Sequence, residues 1–285
     1  MNTRIAPSPT GKPHIGLIRT AYFNWLAARS TNGKFILRID DTDTERSKVE
    51  HINEIIEAMD WLGLDYDEIE KQSCRHAIYR DYLDRISNNI RKTEDGAIVL
   101  IPTQTRDFFV DEIAGKISTS GTDKDYIEHN IVLWRSRNGG PTYHFASVVD
   151  DIEMKIDCVI RGVDHISNTA RQIAIYDTLN QQIPKYHHIG LIHKDGKPLS
   201  KRDGAASILQ YKADGINPDA MLNFLARMGW GPNVDDKSTS ILTREDMLRM
   251  FWNEGHMRSQ PSGLDIAKLA SFNRKHNARN QQDKR

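Results

Sequence analysis

The stretch RIAPSPTGKPHIG, Arg4 to Gly16, limits the folds open to this chain more than any other segment. Pro7, Pro9 and Pro13 fix φ near −65° and offer no N–H to a ladder, so Ala6–Pro13 is a loop. Gly11 takes whatever dihedral the turn requires. A short strand ending at Ile5 precedes the loop. From Ile15 onward, Ile18, Tyr22, Trp25 and Leu26 fall on one helical face, and KFILRI (Lys34–Ile39) reads as a buried strand. Strand, loop, helix and strand in that order form a βαβ unit, which favours a parallel sheet and an α/β fold.

The pattern continues. Ser47 and Glu50 have capping-box spacing ahead of Ile52, Ile55, Ile56, Met59 and Leu62, and Gly63 ends that helix. From about Ser87 to Asp125 the pattern is irregular and carries Pro102, Gly115 and Gly121, which reads as an insertion rather than a core element. Asn130–Trp134 resumes as strand, Ser167–Asn180 as helix, and His187–His193 as a buried strand. Asn217 caps a helix with Pro218 at its first position and Gly229 past its end. Ile241–Arg285 is helical with a polar, basic tail. No internal repeat or low-complexity segment is present.

Composition narrows the class. The chain has 285 residues, of which 39 are Lys or Arg and 39 Asp or Glu, so a polyanion has to be bound by a local patch. Cys74 and Cys158 are the two cysteines, with no Cys-x-x-Cys or His-rich cluster, so neither a disulfide framework nor a zinc site is expected. Met1–Thr10 is no signal peptide, and no apolar run approaches the roughly 18 residues of a membrane span. A cytoplasmic globular protein without membrane contact is expected.

A strand that turns through a Gly/Pro loop into a helix presents backbone N–H groups at the helix start, where the dipole favours a phosphate. A stiff loop loses little entropy when a ligand arrives. His14 can donate to phosphate oxygens, and Gly16 lets an adenine or ribose lie close; a His14 that only caps the helix is the alternative. Far along the chain, DGKPLSKRDGA (Asp195–Ala205) is a Gly-bracketed polar loop with Lys197, Lys201 and Arg202. Such a loop can neutralise charge developing on a triphosphate, although a basic run alone is usually solvated surface.

RIAPSPTGKPHIG resembles the HIGH signature of class I aminoacyl-tRNA synthetases in its glutamyl form, and LSKR (Leu199–Arg202) resembles the matching KMSKS loop. FILRIDDTD, PTYHFASVVDD, VIRGVDHISNTARQ and LNFLARMGWG are similar to glutamyl-tRNA synthetase in the correct order, over Thr3 to about Asn273. The resemblance implies a doubly wound, Rossmann-like (HUP-type) parallel sheet with nucleotide at the carboxyl ends of its strands. It divides the chain into a first catalytic half (1–86), a shortened acceptor-end insertion (87–129), a second half with the KMSKS-like loop (130–210), and a helical stem-contact-like segment with a basic tail (211–285).

The implied activity is ATP-dependent activation of glutamate to glutamyl-adenylate and transfer to a tRNA acceptor end, with Mg²⁺ accompanying the ATP. The nucleophiles belong to the substrates, so the protein supplies positioning and charge stabilisation. The resemblance assigns catalysis to His14, Gly16 and Lys201, and ATP contacts to Pro7, Thr10, His14, Gly16, Leu199, Ser200, Lys201 and Arg202. It assigns amino-acid contacts to Arg4, Ser8, Asp40, Tyr143, Ser147 and Arg161. Arg161 pairs with the side-chain carboxylate, since a guanidinium matches it with two parallel bonds. Asp40 stands where a family glutamate receives the α-amino group. The residues leave alternatives: an ion pair of Arg161 with Asp164, a core role for Tyr143, and turn roles for Asp40 and Asp41. Asp150 and Asp151, read as adjacent carboxylates at a strand end, receive no catalytic role.

Several positions depart from the family. Pro198 replaces the leading lysine of the KMSKS-like loop, where Lys197 can substitute; Ser147 replaces asparagine; Val163 stands where an acid is common. Glutamate is therefore favoured by Arg4, Tyr143 and Arg161, while a related amino acid stays open. The insertion lacks the family's zinc-binding cysteines, and the sequence stops near Arg285, where an anticodon-binding domain would begin, in the manner of the glutamyl-queuosine tRNA synthetases. The acceptor is a tRNA end, a modified tRNA base, or a hydroxyl or amine outside tRNA. A catalytically silent nucleotide- or RNA-binding paralogue is the alternative of another class. A monomer is expected.

Overall fold

The computed structural model describes residues 1–43, 45–119, 122–136, 139–199, 207–232 and 241–282. The opening βαβ unit forms as the sequence requires. β1 (Thr3–Ile5) leads through the proline loop into α1 (Ile15–Arg29), and β2 (Phe35–Ile39) returns parallel to β1 with Thr3 opposite Phe35. α2 (Val49–Trp61) crosses to β3 (Glu68–Lys71), parallel to β2. All five β2 residues are buried, as a strand covered on both faces should be. Gly63, at φ 61°, ends α2 as expected. The expected capping box is not made: α2 begins after Lys48, whose N–H is held by the Pro9 carbonyl at 3.0 Å, so Ser47 lies one residue too early to cap.

α3 (His76–Arg85) leads into β4 (Ile90–Lys92), β5 (Ile98–Leu100), a hairpin of β6 (Phe108–Asp111) and β7 (Gly115–Ser118), α4 (Thr122–His129) and β8 (Val132–Trp134). β5 pairs antiparallel with β4 and β8. This region is more regular, and more central, than its sequence suggests. Leu100 and Ile127 pack with Tyr79, Phe145 and Tyr176, and Phe109 packs with Ile36, Val159 and Tyr186. Strands of three or four residues are too short for alternation to stand out from chance.

α5 (Tyr143–Glu153), β9 (Cys158–Gly162), α6 (Ile166–Thr178) and β10 (Lys185–Ile189) form the second parallel unit, with Cys158 opposite Lys185. Asp150 and Asp151 thus lie inside a helix, not at a strand end. β9 lies beside β1, where the Asn2 carbonyl accepts the N–H groups of Asp157 and Cys158. The lateral order is β10-β9-β1-β2-β3, and the winding reverses between β1 and β9. In open α/β sheets that reversal opens a crevice at the carboxyl ends of the strands.

The expected strand His187–His193 breaks at Gly190 into β10 and β11 (Ile192–Lys194). There the backbone crosses another segment so closely that a Cβ would collide with the Gln260 carbonyl. β12 (Lys197–Pro198) pairs antiparallel with β11 around a turn at Asp195 and Gly196, both with positive φ. Pro198 therefore sits in a hairpin strand, where its fixed φ is tolerated. α7 (Ile208–Ala213), α8 (Pro218–Arg227), β13 (Trp230–Pro232), α9 (Arg244–Met250), β14 (Gly255–Met257), β15 (Ser262–Gly263) and α10 (Ile266–Gln282) complete the described chain. Asn217 caps α8 through its side-chain oxygen, as expected, and α8 packs on α1 and α10. Among the described residues no helix is long and apolar enough to cross a membrane.

Candidate active site

A cleft of about 410 Å³ occupies the crevice between β1 and β9. Of the residues singled out from sequence, Arg4, Pro7, Ser8, His14, Gly16, Asp40, Tyr143, Arg161 and Leu199 line it. Thr10 and Ser147 do not, and Ser200, Lys201 and Arg202 lie outside the described residues. Residues far apart in sequence meet here because each stands at or just past the carboxyl end of a strand, or at the start of the helix that follows.

At one end of the cleft, His14 is the N-cap of α1, and its Nδ1 accepts the N–H groups of Gly16 (3.1 Å) and Leu17 (3.3 Å). Those two amides are therefore spent on the imidazole, which corrects the expectation that they face a phosphate. The capping and phosphate-donor roles are compatible. Accepting at Nδ1 puts the ring proton on Nε2, which makes that atom a donor. Gly16 serves the same arrangement, since a Cβ there would stand 3.1 Å from His14 Nδ1 and Cε1. The Ser207 backbone bridges to His14, Ile208 N–H donates to the Pro13 carbonyl (2.9 Å), and Leu199 N–H donates to Ile192 (2.7 Å).

Behind the centre of the cleft is a buried charge network. Arg4 Nε donates to Asp151 Oδ1 (3.0 Å), and Arg38 Nη1 donates to the same oxygen (2.7 Å). Arg38 also engages Asp40 through Nε (2.7 Å) and Nη2 (3.2 Å). Asp150 accepts from Arg75, Gln72 and Tyr79 at 2.7–3.0 Å. None of Arg4, Arg38, Asp40, Asp150 and Asp151 is more than 6% exposed. Buried charges persist only when paired, and removing one partner typically costs about 3–5 kcal/mol. Asp150 and Asp151 thus orient arginines. Burial drives the Asp40 carboxyl up to about 6 even though Arg38 opposes the shift. Burial also pushes Asp151 up, but Arg4 and Arg38 outweigh it and hold its carboxyl below the ordinary range.

Arg38 escaped the reading of the sequence as a site residue. An arginine inside an otherwise apolar buried strand was the available signal, since a buried guanidinium requires an acidic partner. Ser147 accepts weakly from Arg38 Nη2 at 3.5 Å, from behind the network. Tyr143 is on the cleft wall rather than in the core, with its hydroxyl 3.2 Å from His165 Nδ1. Burial, with Arg161 next in effect, lowers His165 to about 4.

Arg161, at the end of β9 and 7% exposed, differs from Arg4 and Arg38 in having no carboxylate partner among the described residues. Its Nε donates to His188 Nε2 (3.1 Å) and its Nη2 to Thr169 Oγ1 (2.8 Å), both neutral partners. No ion pair joins it to Asp164 or to another carboxylate among the described residues. A guanidinium held by neutral partners on a cleft wall is suited to an anion; Arg19, also buried on this wall, has its two terminal nitrogens bonded to the Met228 and Gly190 carbonyls. Among the described residues no group of three or more His, Cys, Asp or Glu side chains could hold a metal ion.

Comparison with known proteins agrees with the geometry. Residues 1–90 and 87–270 match the family described as tRNA synthetases class I (E and Q), catalytic domain. The chain is 38% identical over 316 residues to the glutamate–tRNA ligase of Francisella tularensis subsp. tularensis strain WY96-3418, covering 96% of this chain and 65% of that protein. It is 38% identical over 313 residues to glutamate–tRNA ligase 1 of Campylobacter hominis, covering 95% of this chain and 66% of the relative. The chain thus spans just under two thirds of the length of these relatives. A crystal structure of a glutamate tRNA ligase from Elizabethkingia meningosepticum, in complex with its amino acid, superposes with a TM-score of 0.83 at 27% identity, over 97% of this chain and 69% of that one.

Proposed function

The chain belongs to the class I tRNA synthetases for glutamate and glutamine, catalytic domain, and from that premise we propose that its cleft activates glutamate with ATP and passes the glutamyl group to a tRNA. The observation that carries the reading is Arg161. It is a buried guanidinium held by two neutral partners, in the same cleft as the capped start of α1. Its fork accepts the substrate's side-chain carboxylate by paired N–H···O bonds, which a glutamine side chain cannot reproduce.

Asp40, fixed by Arg38, presents negative charge to the α-amino group from the far side of the cleft. The α-carboxylate then attacks the α-phosphorus of ATP, the bond to the bridging oxygen breaks, and pyrophosphate leaves. His14 Nε2–H donates to the phosphate oxygens, and the Lys201 ammonium neutralises charge on the departing pyrophosphate. A hydroxyl of the acceptor attacks the carbonyl of the mixed anhydride, giving the ester and AMP. Catalysis rests on placement and electrostatics, with no covalent enzyme intermediate. Mg²⁺ accompanying the ATP would be held chiefly through the phosphate oxygens and water and would offset charge on the triphosphate.

The test is amino-acid-dependent exchange of pyrophosphate into ATP, run with and without tRNA. Exchange with glutamate only when tRNA is present supports a tRNA ligase. Exchange with glutamate alone supports transfer to a modified base or to a non-tRNA acceptor. No exchange with any amino acid overturns the enzymatic reading.

A further inference from the structure

We propose that Asp111, in the β6–β7 hairpin, is a positioning residue for the amino-acid subsite: by fixing the tautomer of His188 it aims the guanidinium of Arg161 at the substrate carboxylate. The proposal rests on the reading of Arg161 as the carboxylate anchor.

Asp111 closes β6 and is 1% exposed, a position that a carboxylate tolerates only if its lone pairs are used. Among the described residues its hydrogen-bond partners are all N–H donors. Oδ1 accepts from the Ile113 (3.0 Å) and Ala114 (2.7 Å) amides, which shapes the hairpin turn. Oδ2 accepts from the backbone N–H (3.1 Å) and ring Nδ1 (2.7 Å) of His188 on β10. The same hairpin is fastened to β10 a second time, through Glu112 N–H to the Tyr186 carbonyl (2.8 Å). A segment that lies between the two parallel units in sequence thus reaches the imidazole that contacts Arg161.

The proton on His188 Nδ1 is committed to Asp111, so Nε2 carries the lone pair and can accept from Arg161 Nε at 3.1 Å. The opposite tautomer would set N–H against N–H at that distance. The ring plane lies along Tyr186, at 6.0 Å with 9° between planes, Arg161 lies over the same Tyr186 ring at 5.2 Å, and the Nδ1–Asp111 bond sets which edge of the imidazole faces Arg161. His188 and Thr169 together hold the Nε/Nη2 edge of the guanidinium. The outer Nη1/Nη2 edge is the one that pairs with a carboxylate, so the orientation of the anchor is set from behind by a neutral imidazole. A second carboxylate directly against Arg161 would compete with the substrate; relaying through His188 avoids that.

The test is Asp111→Asn and His188→Asn in steady-state exchange kinetics. In Asp111→Asn the amide NH₂ opposes His188 Nδ1–H and favours the other tautomer. In His188→Asn the side-chain NH₂ still satisfies Asp111 but cannot reach Arg161. Both raise the KM for glutamate by about 10–100-fold, the size expected for losing a hydrogen bond to a charged group, with kcat and the KM for ATP changed less than about 3-fold. ¹⁵N chemical shifts of His188 show an unprotonated Nε2 in the parent and a protonated one in Asp111→Asn. If Asp111→Asn does not fold, His188→Asn alone decides. An unchanged KM for glutamate in His188→Asn, or a fall confined to kcat, overturns the proposal. Arg161→Gln separates the two claims: if it leaves the KM for glutamate unchanged, the anchor reading has failed. If it raises KM while the Asp111 and His188 variants do not, the relay alone has failed.

Discussion

Replacing His14 by asparagine separates two jobs that one imidazole performs. The ring caps α1 through Nδ1, which accepts from Gly16 and Leu17, and on the proposed mechanism donates to phosphate through Nε2–H. Asparagine places Oδ1 where Nδ1 stood and is a strong N-cap, so the helix start is kept; the distal donor is lost. An alanine loses both. Losing the cap costs about 1 kcal/mol, which in a domain of this size lowers the melting temperature by roughly 2 °C. Losing a preorganised donor to a developing oxyanion costs about 10²–10³-fold in kcat. His14→Asn therefore melts within about 1 °C of the parent, while its glutamate-dependent exchange falls by that factor. His14→Ala loses in both measurements. Thermal melts and exchange rates on the two variants decide the matter. A His14→Asn enzyme with kcat within 3-fold of the parent would show that the histidine is a cap and nothing more.

Arg161→Lys keeps the charge but not the fork, so the KM for glutamate rises about 10–100-fold and discrimination against glutamine weakens, as exchange with each amino acid will show. Asp151→Asn strands Arg4 and Arg38 without their shared carboxylate and costs about 3–5 kcal/mol, read as a lower denaturant midpoint. The Asp40 carboxyl, at about 6, loses its charge as pH falls through that value, so the KM for glutamate rises below pH 6 in a pH series. Stability follows opposing signs. Asp40, raised above its unfolded value, contributes stability that is full below about 3.8 and is lost as pH rises through about 6. His144 and His165, both lowered to about 4, refuse between pH 6.5 and 4 a proton that the unfolded chain accepts, so they destabilise the fold as pH falls across that window. Burial lowers His187, His188 and His276 in the same direction, so melting temperature measured against pH declines on going below 6.5.

Much of this was legible in the chain because it depended on local chemistry. Three closely spaced prolines read as a loop, FILRI as a buried strand and Asn217-Pro218 as a helix start, and all three formed. The cleft residues at strand ends were legible through the resemblance to the glutamyl synthetases. What escaped depends on distant partners. Arg38 and Asp151 are 113 residues apart in sequence, and only the packed sheet brings them within 2.7 Å. Asp111 falls in the stretch whose pattern reads only as an irregular insertion, and its bond to His188 appears only when β10 is laid beside it. The supposed cap at Ser47 failed for the same reason: a long-range bond from Lys48 to Pro9 set where α2 begins.

The most direct measurement is a crystal structure of the protein with a non-hydrolysable ATP analogue and glutamate. One cleft should hold both, with a phosphate oxygen about 3 Å from His14 Nε2 and the glutamate side-chain carboxylate paired to the outer edge of Arg161. Nucleotide and amino acid in separate cavities, or a carboxylate bound away from Arg161, would contradict the proposed chemistry.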